Sequence, residues 1–123
     1  MKKLFMAAFA SLLFILVSVN ANAQKIISDT FESDGTRVVM FENSPKVCSS
    51  TIEIHILKNR ITKVQYTKGC PGNTQGVSAL IEGMKVRDAI KKLDGIQCGK
   101  RGTSCPDQLA IALKMIMDNP KKK

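Results

Sequence analysis

The sequence predicts an α+β domain in which a small antiparallel sheet, of about three strands, is followed by three helices packed on one sheet face. The strand signal is clearest at residues 51–57, where Ile52, Ile54 and Ile56 share one face of an alternating segment. After Cys70 the apolar period changes from two residues to 3.6. The order of these two signals places the sheet before the helices.

Three short segments account for the predicted sheet. Residues 37–42 form the first strand, and a break at 43–45 separates it from the second strand at 51–57. The connection Lys58-Asn59-Arg60 returns the chain as a third strand at 61–67, so the last two strands form a hairpin. Residues 24–35 are polar, and we expect them to be a flexible N-terminal segment.

Three apolar stripes at helical spacing predict the helices. Gly83, Gly95 and the pair Asn119-Pro120 mark their ends. The stripes are Val77, Leu80, Ile81 and Met84, then Val86, Ala89, Ile90 and Leu93, and finally Leu109, Ala112, Leu113 and Ile116.

The first 23 residues have the pattern of a cleavable secretory signal. Lys2 and Lys3 precede an apolar run at 4–19, and Ala21-Asn22-Ala23 supplies the small residues of a cleavage site. The alternative, a membrane anchor, needs about 20 apolar residues, and this run is shorter. We therefore expect an exported mature chain, periplasmic or extracellular, that begins at Gln24 and retains no stable membrane span. It comprises a domain at 36–117 and a basic tail at 118–123.

The predicted mature chain is basic, with 17 of the 19 basic residues against 10 acidic ones, a net charge of +7. Such a charge is compatible with binding to nucleic acid, anionic lipid or acidic substrates. Only Phe31, Phe41 and Tyr66 remain as aromatic residues, which is too few for a base-stacking platform. The sequence therefore gives no strong nucleic-acid signal and leaves the protein partner unidentified.

The candidate site residues are four cysteines, Cys48, Cys70, Cys98 and Cys105. In an exported chain they allow up to two disulfides, in any of three pairings. Cys70 and Cys105 each precede a proline that opens a predicted helix, and a helix N-terminus favours the thiolate form of a cysteine. The helix-entry residues that would support these thiols are Pro71, Gly72, Asn73, Ser104, Pro106, Asp107 and Gln108.

All four cysteines are predicted at loop or helix ends, where they can converge on one end of the sheet. Their spacing is not that of a zinc ribbon, but a four-thiolate zinc or iron–sulfur site is chemically compatible with them. Alternation places His55, the single histidine, beside Glu53 on the wetter sheet face, where we expect an exposed strand residue and not a ligand. The sequence offers no catalytic Ser-His-Asp set and no P-loop lysine.

The segment Thr103-Ser104-Cys105-Pro106-Asp107-Gln108-Leu109-Ala110 closely resembles the signature of the TSCPD domain family. Cys48, Gly69-Cys70-Pro71-Gly72-Asn73, Gly83-Met84 and Cys98-Gly99 extend the resemblance over residues 36–117. The family includes small stand-alone proteins and the C-terminal domain of adenosylcobalamin-dependent ribonucleotide reductases. The resemblance implies an association with a ribonucleoside-diphosphate reductase, an oxidoreductase of DNA synthesis. A mature chain of 100 residues is too small for that enzyme's barrel and nucleotide pocket, so we expect an accessory role.

A fainter resemblance connects the chain to NifU-type iron–sulfur scaffold proteins, which also have a small sheet followed by helices. It implies that Cys48, Cys70 and Cys105 match the three cluster cysteines of those scaffolds, with Cys98 additional.

Three hypotheses for function remain open. The first is a thiolate module that binds zinc or an iron–sulfur cluster. The second is a thiol redox module, or dithiol relay, associated with a ribonucleoside-diphosphate reductase. The third is an exported structural domain stapled by disulfides.

Overall fold

The computed structural model describes residues 24–122, so the predicted secretory signal at 1–23 lies outside the described residues. Within this range four strands precede three helices, and none of these helices is long and apolar enough to cross a membrane. The strands are β1 (Lys25–Phe31), β2 (Arg37–Glu42), β3 (Ser49–Leu57) and β4 (Arg60–Lys68). The helices are α1 (Pro71–Ile81), α2 (Val86–Leu93) and α3 (Cys105–Asp118).

The strands form one antiparallel sheet in the order β1-β2-β3-β4. The α+β class is confirmed, but the sheet has four strands where the sequence predicts about three. The additional strand β1 occupies most of the segment expected to be flexible, so that expectation is wrong. β1 lacks an alternating pattern because its register with β2 shifts between Ile26 and Ser28, and a bulge there interrupts the period of two.

The hydrophobic core lies between one sheet face and the helices. Ile52 and Ile54 are fully buried, as the alternation at 51–57 predicts, whereas Ile56 on the same face is partly buried. Ile52 and Ile54 belong to the same cluster as the apolar stripes of α2 and α3. Its fully buried members include Val39, Phe41, Ile52, Ile54, Ile61, Leu109 and Leu113. This packing fixes α3 against the sheet and thereby fixes where α3 begins.

Candidate thiol site

All four cysteines lie at one end of the sheet, which we call the thiol end. Cys48 directly precedes β3, and Cys70 follows β4 after the single residue Gly69. Because these strands are antiparallel neighbours, with Ser49 opposite Lys68, the two cysteines lie at the same end of the sheet. The loop before α3 brings Cys98 and Cys105 to this end as well, through the contacts described below.

Ser49 connects the chain segments that meet at the thiol end. Its hydroxyl donates to Sγ of Cys105 at 3.1 Å and accepts a hydrogen bond from Nδ2 of Asn43 at 2.7 Å. Ser49 is buried, and Gly69 packs so closely that a Cβ there would lie 3.2 Å from the Ser49 Cβ. The residue after Cys48 and the residue before Cys70 are therefore held against each other and against the start of α3.

Cys105 is the buried member of the four thiols, with 8% of its surface exposed. It is the first residue of α3, while Ser104 is the N-cap and accepts a hydrogen bond from the Asp107 amide at 3.1 Å. The Tyr66 hydroxyl donates to the Cys105 carbonyl at 3.1 Å. Burial, and next the electrostatic interaction with Cys105, raise the pKa of Tyr66 above its usual range. Tyr66 therefore remains a neutral donor at this helix end.

The polar residues of the signature segment form a buried hydrogen-bond network around the same helix start. The Thr103 hydroxyl donates to Oδ2 of Asp107 at 2.6 Å and accepts from Nε2 of the Gln108 side chain at 3.0 Å. Oδ1 of Asp107 accepts from the Gly95 backbone amide at 2.8 Å, and Oε1 of Gln108 accepts from the Ser44 backbone amide at 2.9 Å. Asp107 and Gln108 thus bind neighbouring loops to α3, which defines the shape of the loop that carries Cys98.

Arg101 provides the main electrostatic feature of the thiol end. A turn returns its amide to the Cys98 carbonyl at 3.2 Å, and its guanidinium Nη1 lies 3.4 Å from Sγ of Cys48. The hydrogen bond to Cys48 contributes most to raising the pKa of Arg101, followed by the electrostatic interaction of the guanidinium with Cys48, Cys98 and, least, Cys105. No sequence pattern indicates this pairing, since Arg101 and Cys48 are separated by 53 positions.

Cys70 differs from Cys105 although both precede a helix proline. It is the N-cap of α1 and is exposed, and its carbonyl accepts from the amide and the hydroxyl of Thr74, both at 3.0 Å. Its side chain makes no cap hydrogen bond. Gly72 and Asn73 are exposed as well, so the start of α1 leaves the Cys70 thiol accessible to other molecules.

The TSCPD domain family model matches residues 30–117, more than half of the chain. The chain belongs to the TSCPD domain family. Neither the curated proteins nor the solved structures contain a significant match to it. The match begins at the end of β1, so the TSCPD domain of this chain has an edge strand that lies almost wholly outside the matched residues.

Within residues 24–122, no group of three or more His, Cys, Asp and Glu side chains has an arrangement that could hold a metal ion. His55 lies on the sheet face away from the helices, and its Nε2 contacts a Glu53 oxygen at 2.6 Å. The hydrogen bond from His55 is the main reason that the pKa of Glu53 lies below its usual value. The His55 side chain is only 16% exposed, so our expectation of an exposed strand residue is wrong.

Proposed function

We propose that this TSCPD domain is a thiol–disulfide exchange module in which Cys48 and Cys98 form the reacting dithiol. The position of Arg101 is the main support for this proposal, because its guanidinium contacts Cys48 and its charge also interacts with Cys98. A guanidinium beside a cysteine favours the thiolate, which is the form that attacks disulfides. Both cysteines are exposed and can therefore reach the disulfide of a substrate protein.

The proposed exchange has two steps. The Cys48 thiolate attacks one sulfur of the substrate disulfide, which forms a mixed disulfide and releases the other substrate sulfur as a thiolate. Cys98 then attacks the Cys48 sulfur, so a Cys48–Cys98 disulfide forms and the second substrate thiolate leaves. The domain loses two electrons and two protons, and the substrate disulfide gains them as two thiols. Arg101 stabilises the Cys48 anion before the first step and when the second step runs in reverse.

The other two cysteines have different surroundings. Cys105 is buried and its sulfur accepts from Ser49, so we assign it to holding the start of α3 in place. Cys70 is exposed, but it is not among the sulfurs that influence Arg101. All four cysteines are free thiols in the structure, which therefore contains no disulfide of the kind that the disulfide-stabilised alternative requires.

Replacing Arg101 with alanine is expected to slow oxidation of the domain by glutathione disulfide about tenfold at mildly acidic pH, where the thiolate fraction limits the rate. Lys100→Ala is the matched control, because it removes a neighbouring cation of the same loop that has no hydrogen bond to a sulfur in residues 24–122. Acid quenching followed by peptide mass spectrometry measures the Cys48–Cys98 disulfide. Equal rates for the two variants, or a disulfide that excludes Cys48, would contradict the proposal.

Metal binding is the second candidate, favoured by the convergence of four thiols on one end of the sheet. The ligand set is not preformed in the described residues, so binding zinc or an iron–sulfur cluster would require the loop with Cys98 to rearrange. Anaerobic titration of the reduced full chain with Zn²⁺ tests this. Stoichiometric binding that is lost in both Cys48→Ser and Cys105→Ser would favour metal ligation, because the exchange mechanism does not use the Cys105 sulfur.

The partner and the compartment are also proposals. If the chain stays in the cytoplasm, as the family context implies, the dithiol would serve a ribonucleoside-diphosphate reductase as a relay; an exported chain would act on another disulfide protein. Export after cleavage near Ala23 would leave the described fold complete, since β1 begins at Lys25. N-terminal sequencing of native protein tests export: we expect Gln24, and recovery of an intact Met1 would contradict it.

A further inference from the structure

Four cations surround Cys48 at the thiol end. Lys46 lies two residues before Cys48 in the loop that joins β2 to β3, and Lys68 ends β4 opposite the residue that follows Cys48. Arg101 contacts the Cys48 sulfur, and Lys100 directly precedes Arg101 in the chain. All four basic residues are exposed. Three separate segments of the chain therefore bring positive charge to the exposed Cys48 thiol.

The carboxylates at the thiol end do not neutralise these cations. Glu42, the last residue of β2, lies 3.5 Å from Nζ of Lys25. Asp94, which follows α2, lies 2.6 Å from Nζ of Lys114. Asp107 is buried in the hydrogen-bond network around the start of α3.

The other acidic residues in 24–122 lie within strands or towards the opposite end of the sheet. They are Asp29, Glu32, Asp34, Glu53, Glu82, Asp88 and Asp118. None of the four cations around Cys48 forms an ion pair with a carboxylate in this part of the chain. Their charge is therefore available to a ligand.

These cations extend across three adjacent strands. Lys46 belongs to the loop that leaves β2, Cys48 enters β3, and Lys68 ends β4. Neighbouring strands lie about 4.8 Å apart, so β2 and β4 are separated by about 10 Å. A ligand that meets both lysines while its disulfide reaches Cys48 must therefore be several residues long and carry more than one carboxylate.

The surroundings of Cys48 favour a protein ligand over a nucleic acid. Proteins that bind single-stranded nucleic acid combine cations with exposed aromatic side chains on which the bases stack. Of the aromatic residues in 24–122, Phe41 is fully buried, and the Tyr66 hydroxyl is bonded to the start of α3. Phe31 ends β1 at the opposite end of the sheet. The cations around Cys48 therefore have no stacking platform beside them.

We infer that the module exchanges a disulfide that lies in an acidic segment of a partner protein, with Asp or Glu residues on both sides of its cysteines. The inference rests on the proposed thiol exchange and adds the chemical class of its substrate. Complementary charges raise the rate at which two partners meet, and the effect falls with ionic strength. The cations thus select the acidic segment before the Cys48 thiolate attacks.

Three oxidised peptides of equal length test this selection. Each contains the disulfide-closed sequence Cys-Gly-Ser-Cys, with two Glu, two Gln or two Lys residues on each side. Acid quenching and peptide mass spectrometry measure how fast the reduced full chain forms its Cys48–Cys98 disulfide. At an ionic strength of about 0.1 M, where charges interact over about 10 Å, we expect the acidic peptide to react about fivefold faster than the neutral one. The basic peptide should be the slowest, and the differences should largely disappear at about 1 M salt.

Two double variants assign the preference to the cations around Cys48. Lys46→Gln with Lys68→Gln leaves the Arg101 loop unchanged and should lower the ratio of acidic to neutral rates to about twofold. The matched control is Lys58→Gln with Lys85→Gln, which removes two exposed cations at the opposite end of the sheet. Lys58 also shares the positive φ of Lys68. The control should keep the full ratio. Equal ratios in the two variants would attribute the preference to net charge and overturn the inference.

The outcomes separate this inference from the proposed function. A Cys48–Cys98 disulfide that forms equally fast with all three peptides would overturn the acidic substrate and leave the exchange intact. If no peptide produces this disulfide, the exchange itself is wrong, and the substrate inference falls with it.

Two further results would assign the cations to a different ligand and overturn the inference. The first is stronger inhibition of the exchange by a single-stranded oligonucleotide than by an acidic peptide without cysteine, at equal concentrations of negative charge. The second is an equal loss of rate with glutathione disulfide and with the acidic peptide in Lys46→Gln with Lys68→Gln, which would indicate a small anionic disulfide.

Discussion

Replacing Arg37 with methionine is expected to lower the free energy of unfolding by about 3 kcal/mol, since the buried Asp29 carboxylate then keeps only the half-exposed Lys121, 3.4 Å away, as a charged partner. Nε and Nη2 of Arg37 donate to the two carboxylate oxygens of Asp29 at 2.9 and 2.7 Å. The side chains of Arg37 and Asp29 are only 11% and 5% exposed. Arg37 also donates to the carbonyls of Ile116 and Asn119, so it attaches β1 and the end of α3 to β2. Urea unfolding followed by circular dichroism measures the loss.

The matched control is Lys25→Met, which removes another cation paired across β1 and β2. Lys25 lies 3.5 Å from Glu42, but their side chains are 67% and 48% exposed, and exposed pairs contribute less than about 1 kcal/mol. The double variant Arg37→Met with Asp29→Asn should regain part of the lost stability, because no unpaired charge is left buried. Equal losses for Arg37→Met and Lys25→Met would show that burial of the pair does not matter.

The same pair predicts how stability depends on pH. The hydrogen bond from Arg37 holds the pKa of Asp29 below its usual value, against the opposing effect of burial and with the charges of Arg37 and Lys121 contributing further. Because the folded pKa is the lower one, this contribution is complete above the unfolded value of about 3.9 and is lost as the pH falls through the folded value. The Arg37→Met variant should therefore lose less stability than the unchanged protein when the pH is lowered from neutral to acidic.

The sequence predicted those parts of the fold in which burial follows a regular period. The alternation around Ile52 and Ile54 identified β3, and the stripe from Val86 to Leu93 coincides with α2. β1 was missed because its residues are mostly polar and its bulge interrupts the alternation. Pairing with β2 and the buried contact of Asp29 stabilise β1, and neither can be recognised from local sequence.

Local sequence also placed the cysteines but not their partners. The prolines that follow Cys70 and Cys105 predicted each cysteine at or beside a helix N-cap. Cys70 is the N-cap of α1, and Cys105 is the first residue of α3, next to the N-cap Ser104. The contact between Arg101 and Cys48 joins distant segments through the tertiary fold, so no spacing in the sequence could have indicated it.

Replacing Gly69 with alanine is expected to lower the free energy of unfolding by about 2 kcal/mol, because the backbone there is incompatible with a side chain. Gly69 has a φ of +96°, and an added Cβ would lie 3.2 Å from the Thr74 Cγ2 and 3.3 Å from the Ser49 amide nitrogen. Gly99→Ala is the control, since Gly99 also has a positive φ, of +57°, but open space around its Cβ position. We expect a loss of about 1 kcal/mol there, from the backbone conformation alone.

Because Ser49 donates to the Cys105 sulfur, Gly69→Ala should also increase alkylation of Cys105 in the folded protein, which mass spectrometry measures. Equal destabilisation by the two substitutions, with Cys105 protected in both, would show that close packing at Gly69 does not hold the thiol end together.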